Sequence, residues 1–153
     1  MALLKGIKTT ITQLTSRPNW HEYFMSLAIL TSSRSSCHRL NVGCVIVSPD
    51  KTILSTGYNG FIAGSPHTSI VRDNHEQATV HAETNAVSFC AKRGISIKDA
   101  SIYVTHFPCI NCFKVLVASG IKNIYYNSDY KNDEVVYQLA ECNEINIKKI
   151  NEM

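Results

Sequence analysis

"SIYVTHFPCINCFKVL", Ser101 to Leu116, reads as two elements with chemistry at their junction. Ser101 to Thr105 is a short β-branched and aromatic run of the kind that forms a buried strand, and the apolar positions after Pro108 recur at helical spacing. Proline suits the first position of a helix, so the pattern predicts a helix starting at Pro108 or Cys109. Cys109 and Cys112 then sit three residues apart at a helix start, just past the carboxyl end of a strand. Thiols at this spacing converge on one metal ion, and the partial positive charge of the helix start lowers their pKa toward the thiolate that a metal requires.

A second stretch, "ATVHAETNAVSFCAKRG" from Ala78 to Gly94, predicts a helix from about Val80 to Arg93 with His81 and Glu83 in its first turn. An acid near a helix start is ordinary, because the unpaired backbone amides there favour negative charge. The histidine is what needs explaining. If the strands feeding these two helices run parallel, both helix starts lie at the same end of the sheet, and His81 joins Cys109 and Cys112 as a third ligand. Three protein ligands on zinc leave the fourth position for water, the arrangement of a catalytic site, whereas a structural site would take a fourth Cys or His. Glu83 is then the natural general base. A lone C-x-x-C is common, and a lone helix-start histidine is usually a cap or a surface residue. His-x-Glu followed by Pro-Cys-x-x-Cys, with a strand between them, is much more specific, and it is the signature of zinc nucleobase deaminases.

Working outward, Asn19 and Glu22 form a cap followed three positions later by an acid, and Trp20, Tyr23, Phe24, Leu27 and Leu30 follow at helical spacing. "VGCVIV" (Val42 to Val47) and "TILSTG" (Thr52 to Gly57) flank a Pro49-Asp50 turn and predict an antiparallel hairpin. Tyr58 to Thr79 lacks periodicity and reads as a loop of about twenty residues, a length that is usually functional or disordered. "NIYY" predicts the next strand, Asp133 to Glu141 a helix, and "EINIKKI" a last strand. Helical crossovers join parallel strands. The expectation is an α/β fold: a mixed five-stranded sheet with helices on both faces, the first hairpin supplying its only antiparallel pair. Residues 1–17 read as a loose or helical tail and 18–153 as one catalytic domain.

With 153 residues, 44% hydrophobic and 18% charged, the chain can bury a core without disulfides. The net charge of +3 modestly favours an anionic small ligand and is too weak for an obligate nucleic-acid binder. No apolar run is long enough to span a membrane, no membrane partner is expected, and a cytoplasmic location follows as the expectation. The first eighteen residues hold Lys5, Lys8 and Arg17 and no acid, faintly like an organelle-targeting segment, but lack the apolar stretch of a secretory signal. Without such a signal, the six cysteines suggest metal binding and buried thiols. Cys44, Cys90 and Cys142 lie in apolar patterns and are expected in the core.

"RPNWHEYFMSLAILTSSRSSC", "VGCVIV", "STGYNGFIAGSPH", "VHAETNAVSF" and "IYVTHFPCINCFKVLVASGIKNIYY" together resemble the deoxycytidylate (dCMP) deaminases over nearly the whole chain, about Arg17 to Ile150. The resemblance implies a three-layer cytidine deaminase-like fold and zinc-dependent conversion of dCMP to dUMP and ammonia, which supplies dUMP for dTMP synthesis. Glu83 would shuttle protons, and His81, Cys109 and Cys112 would hold the zinc. It also implies homo-oligomers, often hexamers, and control by dCTP as activator and dTTP as inhibitor. Asn59 resembles the family asparagine that reaches the nucleotide's sugar, the favoured reading, with a turn beside Gly57 and Gly60 as the alternative. Arg34 is the candidate for the phosphate or a solvated helix end. Tyr130 would close over the ligand or anchor its loop. Gly57, Tyr58, Asn59 and Gly60 resemble the segment that binds a regulatory triphosphate in controlled relatives, and they equally make a bare turn. Some relatives carry a second, structural zinc. Here Cys37 is present but Thr68 stands at the partner position, leaving His67 and His75 as stand-ins. The incomplete donor set favours Cys37 as a buried thiol instead. The rival readings are a deaminase of another cytosine substrate (dCTP, cytidine or nucleic acid) and a non-catalytic zinc-binding assembly module. Retention of Glu83 argues against the module.

Overall fold

A computed structural model describes residues 1–152. Helix α1 (Ala2–Thr12) is followed by α2 (Trp20–Ser32) and by strands β1 (Gly43–Val47) and β2 (Ile53–Tyr58). Four two-residue strands come next: β3 (Gly60–Phe61), β4 (Val71–Arg72), β5 (His75–Glu76) and β6 (Thr79–Val80). Then α3 (Ala82–Arg93), β7 (Ser101–His106), α4 (Ile110–Ala118), β8 (Asn123–Ser128), α5 (Glu134–Cys142) and β9 (Asn146–Lys149) alternate, ending in a 3₁₀ turn, Ile150–Glu152.

The main sheet has the order β2-β1-β7-β8-β9. The pairs β7·β8 and β8·β9 are parallel, as helical crossovers require. The expectation of a single antiparallel pair is corrected. β1 pairs antiparallel with β7 as well as with β2, because the hairpin adds to the sheet through its first strand, with Cys44 opposite Val104 and Ile46 opposite Ile102. The segment expected as one loop is also partly ordered. β3 pairs with β6 and β4 with β5, which folds residues 60–80 back on themselves.

Alternation along the strands sorts the core into two layers, since successive side chains point to opposite faces. Val45, Val47 and Tyr103 pack with Phe24, Met25 and Ala28 of α2 on one face. Cys44, Ile46, Ile102, Val104, Ile124 and Tyr126 meet α3, α4 and α5 on the other. Each fully buried aliphatic or aromatic side chain contributes about 1.5–3 kcal/mol. The Asn19 cap forms as expected: its side chain accepts from the Glu22 amide, and Glu22 accepts from the Asn19 amide, both at 2.9 Å. Cys44 and Cys90 are buried, whereas Cys142, expected in the core, is exposed because it lies in the last turn of α5.

Two glycines set how closely the helices lie on the sheet. A Cβ at Gly43 would meet the Ala28 carbonyl of α2 at 2.2 Å, and one at Gly57 would meet the Ala82 carbonyl of α3 at 2.2 Å. Gly57→Ala therefore has to push the first turn of α3 off β2. Overpacking of this kind costs about 1–3 kcal/mol, so a fall of roughly 3–10 °C in melting temperature is expected. An unchanged melting curve would show that α3 does not rest on Gly57.

Candidate metal centre and substrate cavity

Two helix starts build the centre. Gly94, in the left-handed conformation (φ 65°), ends α3, and His81 begins it as an extended residue outside the first turn (φ −67°, ψ 152°). Ser55 Oγ donates to the Ala86 carbonyl at 3.0 Å and Asn85 Nδ2 to the Tyr58 carbonyl at 2.9 Å, tying α3 to β2. On the same face of the sheet, Cys109 caps α4, and its sulfur accepts from the Cys112 amide at 3.5 Å. Phe107, packed edge-on against Tyr126 at 5.0 Å, fixes the turn from β7 into α4.

His81 Nδ1 lies 3.6 Å from the Cys109 sulfur and 3.4 Å from the Cys112 sulfur. Among the described residues, these three form the group of ligand-type side chains able to hold a metal, with donor atoms within 4.8 Å of one another. A tetrahedral zinc with bonds of about 2.3 Å to sulfur and about 2.0–2.1 Å to nitrogen holds such donors about 3.5 Å apart. The donor set and its spacing fit zinc. Thr84 Oγ1, 3.7 Å from the Cys112 sulfur, supports that ligand.

The charges suit the same use. A hydrogen bond from the Cys112 thiol, with others from His81 and the Cys112 amide, holds Cys109 down to about 4, so its thiolate is ready at neutral pH. Cys112, as donor in that bond and buried, is pushed upward. Glu83, in the first turn of α3 and 5% exposed, has its carboxyl raised by burial. A carboxyl raised in this way exchanges protons closer to neutrality than an exposed one.

The centre opens into a cavity of about 330 Å³, lined by Glu83, His81, Asn59, Thr79, Arg39 and Lys131 among others. A buried carboxyl beside three zinc-type donors, at the floor of a pocket this size, is the layout of a hydrolytic metal site. The family model for the cytidine and deoxycytidylate deaminase zinc-binding region matches residues 18–128.

The chain belongs to this deaminase family.

Over 126 residues it is 38% identical to the deoxycytidylate deaminase of Mycobacterium phage D29, covering 72% of this chain and 96% of the phage protein. It is 41% identical over 138 residues to ComE operon protein 2 of Bacillus subtilis, covering 88% and 72%. Among solved structures, the dCMP deaminase of cyanophage S-TIM5 in complex with dCMP and dUMP superposes with a TM-score of 0.77 at 30% identity, covering 88% of this chain and 99% of that one.

Within this deaminase domain the other expected residues fall into two groups. Asn59 lines the cavity and is 8% exposed, yet its side chain is heavily engaged. Its amide nitrogen donates to the Leu40 carbonyl at 2.7 Å, and its oxygen accepts from the Val42 amide at 2.8 Å and from Ser35 Oγ at 2.7 Å. Tyr130 lines the cavity with its ring edge-on to His106 at 6.0 Å. Cys37 and His75 also line it, while His67 stacks on Phe61 at 4.9 Å; these three do not come together as a metal group. Arg34 is exposed just beyond α2 and is not among the lining residues. Gly57 pairs with Cys44 in the sheet, and the Asn59 and Phe61 amides donate to the Val42 carbonyl and Ser36 Oγ. The cations of the cavity wall are Arg39 and Lys131, which sequence reading passed over. Arg39 sits in an irregular segment whose direction is set by the Asn59 bonds to Leu40 and Val42. Lys131 sits at a positive φ of 45° beside Tyr130. Neither position carries a periodic signal.

Proposed function

We propose that the chain hydrolyses dCMP to dUMP and ammonia with zinc held by His81, Cys109 and Cys112, and that Arg39 and Lys131 receive the 5′-phosphate. The observation that carries this reading is the buried Glu83 beside the three converged donors, in a cavity walled by two cations. Bound zinc supplies Lewis acidity that makes water nucleophilic near neutral pH. Glu83 accepts the proton of the attacking water and delivers it to the ring nitrogen beside carbon 4. It then carries the proton of the new hydroxyl to the departing amine, so that ammonia leaves and a carbonyl remains. Asn59 holds the cavity wall and offers the second N–H of its side-chain amide to the sugar, and Tyr130 covers the pocket mouth. dCTP and dTTP control, assembly into homo-oligomers such as hexamers and a cytoplasmic site of action accompany this reading as expectations of the family likeness.

The test is ammonia release from dCMP, deoxycytidine, dCTP and a single-stranded oligonucleotide, each with and without dCTP or dTTP. Turnover confined to dCMP supports the reading, and turnover of deoxycytidine at an equal rate would sink it. Arg39→Gln and Lys131→Gln separate the phosphate assignment. A charge-assisted hydrogen bond is worth about 1.5–3 kcal/mol, so each variant should raise KM for dCMP about 10- to 100-fold with zinc content unchanged. If Arg34→Gln had that effect instead, the phosphate would lie outside this cavity.

A further inference from the structure

Every residue from Met1 to Arg17 is exposed, and α1 buries none of its side chains. Leu3, Leu4, Ile7 and Ile11 nonetheless recur at the spacing that gathers them on one stripe of that helix, each more than a third exposed. An eleven-residue helix holding Gly6, Thr9, Thr10 and Thr12 has poor intrinsic propensity and is marginal alone in water. Its apolar stripe has to be covered by something. Charge says by what. The chain has 15 Lys and Arg against 12 Asp and Glu, and Lys5, Lys8 and Arg17 are its only charged side chains up to position 17, so 12 cations face 12 acids in the remainder. The whole net charge of +3 therefore belongs to the N-terminal segment. The segment continues into Trp20 and Tyr23, 45% and 42% exposed, with the Arg17 guanidinium 5.9 Å from the Trp20 ring centre. Indole and phenol rings beside cations are what a lipid headgroup region takes up.

We propose that α1, with Trp20 and Tyr23, is a peripheral docking surface for an anionic lipid bilayer. The absence of a membrane span argues only against insertion; a basic amphipathic helix lies in the interface with its apolar stripe among the acyl chains. A second copy of the chain fits less well, because the remainder of the chain is neutral and offers the segment no net electrostatic attraction. The geometry keeps docking and catalysis apart. α2 packs on the sheet face opposite α3 and α4, so the enzyme can rest on lipid while its cavity stays open to solvent.

Co-sedimentation of the full-length zinc-loaded protein with vesicles tests this. Vesicles containing phosphatidylglycerol should bind it about tenfold or more tightly than phosphatidylcholine alone, with the difference lost at high salt. Two variants, Leu4→Gln/Ile7→Gln/Ile11→Gln and Lys5→Gln/Lys8→Gln, should each lose that binding while keeping the parent's melting temperature and zinc content. No binding to phosphatidylglycerol vesicles, or binding unchanged in both variants, overturns the proposal. So does a fall in assembly mass of the apolar variant in sedimentation equilibrium, which would assign α1 to a neighbouring copy.

Discussion

Glu83→Gln is expected to lower kcat for dCMP by about 10²- to 10⁴-fold, with zinc content and fold intact. Glutamine keeps the size and polarity of the buried side chain and removes only its ability to accept and return a proton. The carboxyl has a further signature in the metal-free protein, where burial raises its pKa above the value of an unfolded glutamate. The folded state then binds more protons than the unfolded state once pH exceeds about 4.3, the ordinary glutamate value. Stability must fall as pH rises from there to the folded pKa, and above it the loss is complete. Glu83→Gln abolishes that slope, so the metal-free variant should be more resistant to urea than the parent at pH 7 and no different at low pH. A variant retaining near-normal turnover would remove Glu83 from the proton path. Parallel stability curves would show that the carboxyl is solvated rather than buried.

The convergence of His81, Cys109 and Cys112 was legible because each sits at or within the first turn of a helix, a position set by local pattern alone. For Cys109 and Cys112 the strand before the helix, β7, fixes the direction as well. The capping box at Asn19 and the β1–β2 hairpin were legible for the same reason. What could not be read depends on contacts distant in sequence. The antiparallel β1–β7 pairing joins strands more than fifty residues apart, and neither strand's alternation says which neighbour it takes. Likewise, Arg34 and Arg39 are indistinguishable in a Ser-rich stretch. Bonds made across the fold, from Asn59 to Ser35, Leu40 and Val42, hold that stretch, and Arg39 rather than Arg34 lines the cavity. The two short ladders of residues 60–80 were hidden because two-residue strands have no period to detect.

Cys112→Ser should produce the largest loss of metal. Cys112 is 3% exposed and accepts support from Thr84, whereas Cys109 stands at the exposed edge of the centre. Weakening a residue that merely orients a ligand already costs about 10- to 100-fold in metal affinity, so removing the buried ligand itself should cost at least about 100-fold. Purified variant should carry almost no zinc and show no measurable deamination. The stability effect follows by mass action: with free zinc at about 100 times its dissociation constant, the bound ion contributes about 2.7 kcal/mol. For a domain of this size that is roughly 5–10 °C in melting temperature, a shift the parent should show on chelation and the variant should not. The hydrogen bond between the thiols adds a proton to the balance. In the metal-free protein that bond lowers Cys109 to about 4 and pushes Cys112 upward, so zinc uptake near pH 7 is expected to expel a proton and apparent affinity to rise with pH. Calorimetry in buffers of different ionisation enthalpy counts that proton directly. Uptake without release would mean that Cys112 enters the site already as thiolate, or that it is not a ligand; retention of full zinc by Cys112→Ser would select the second.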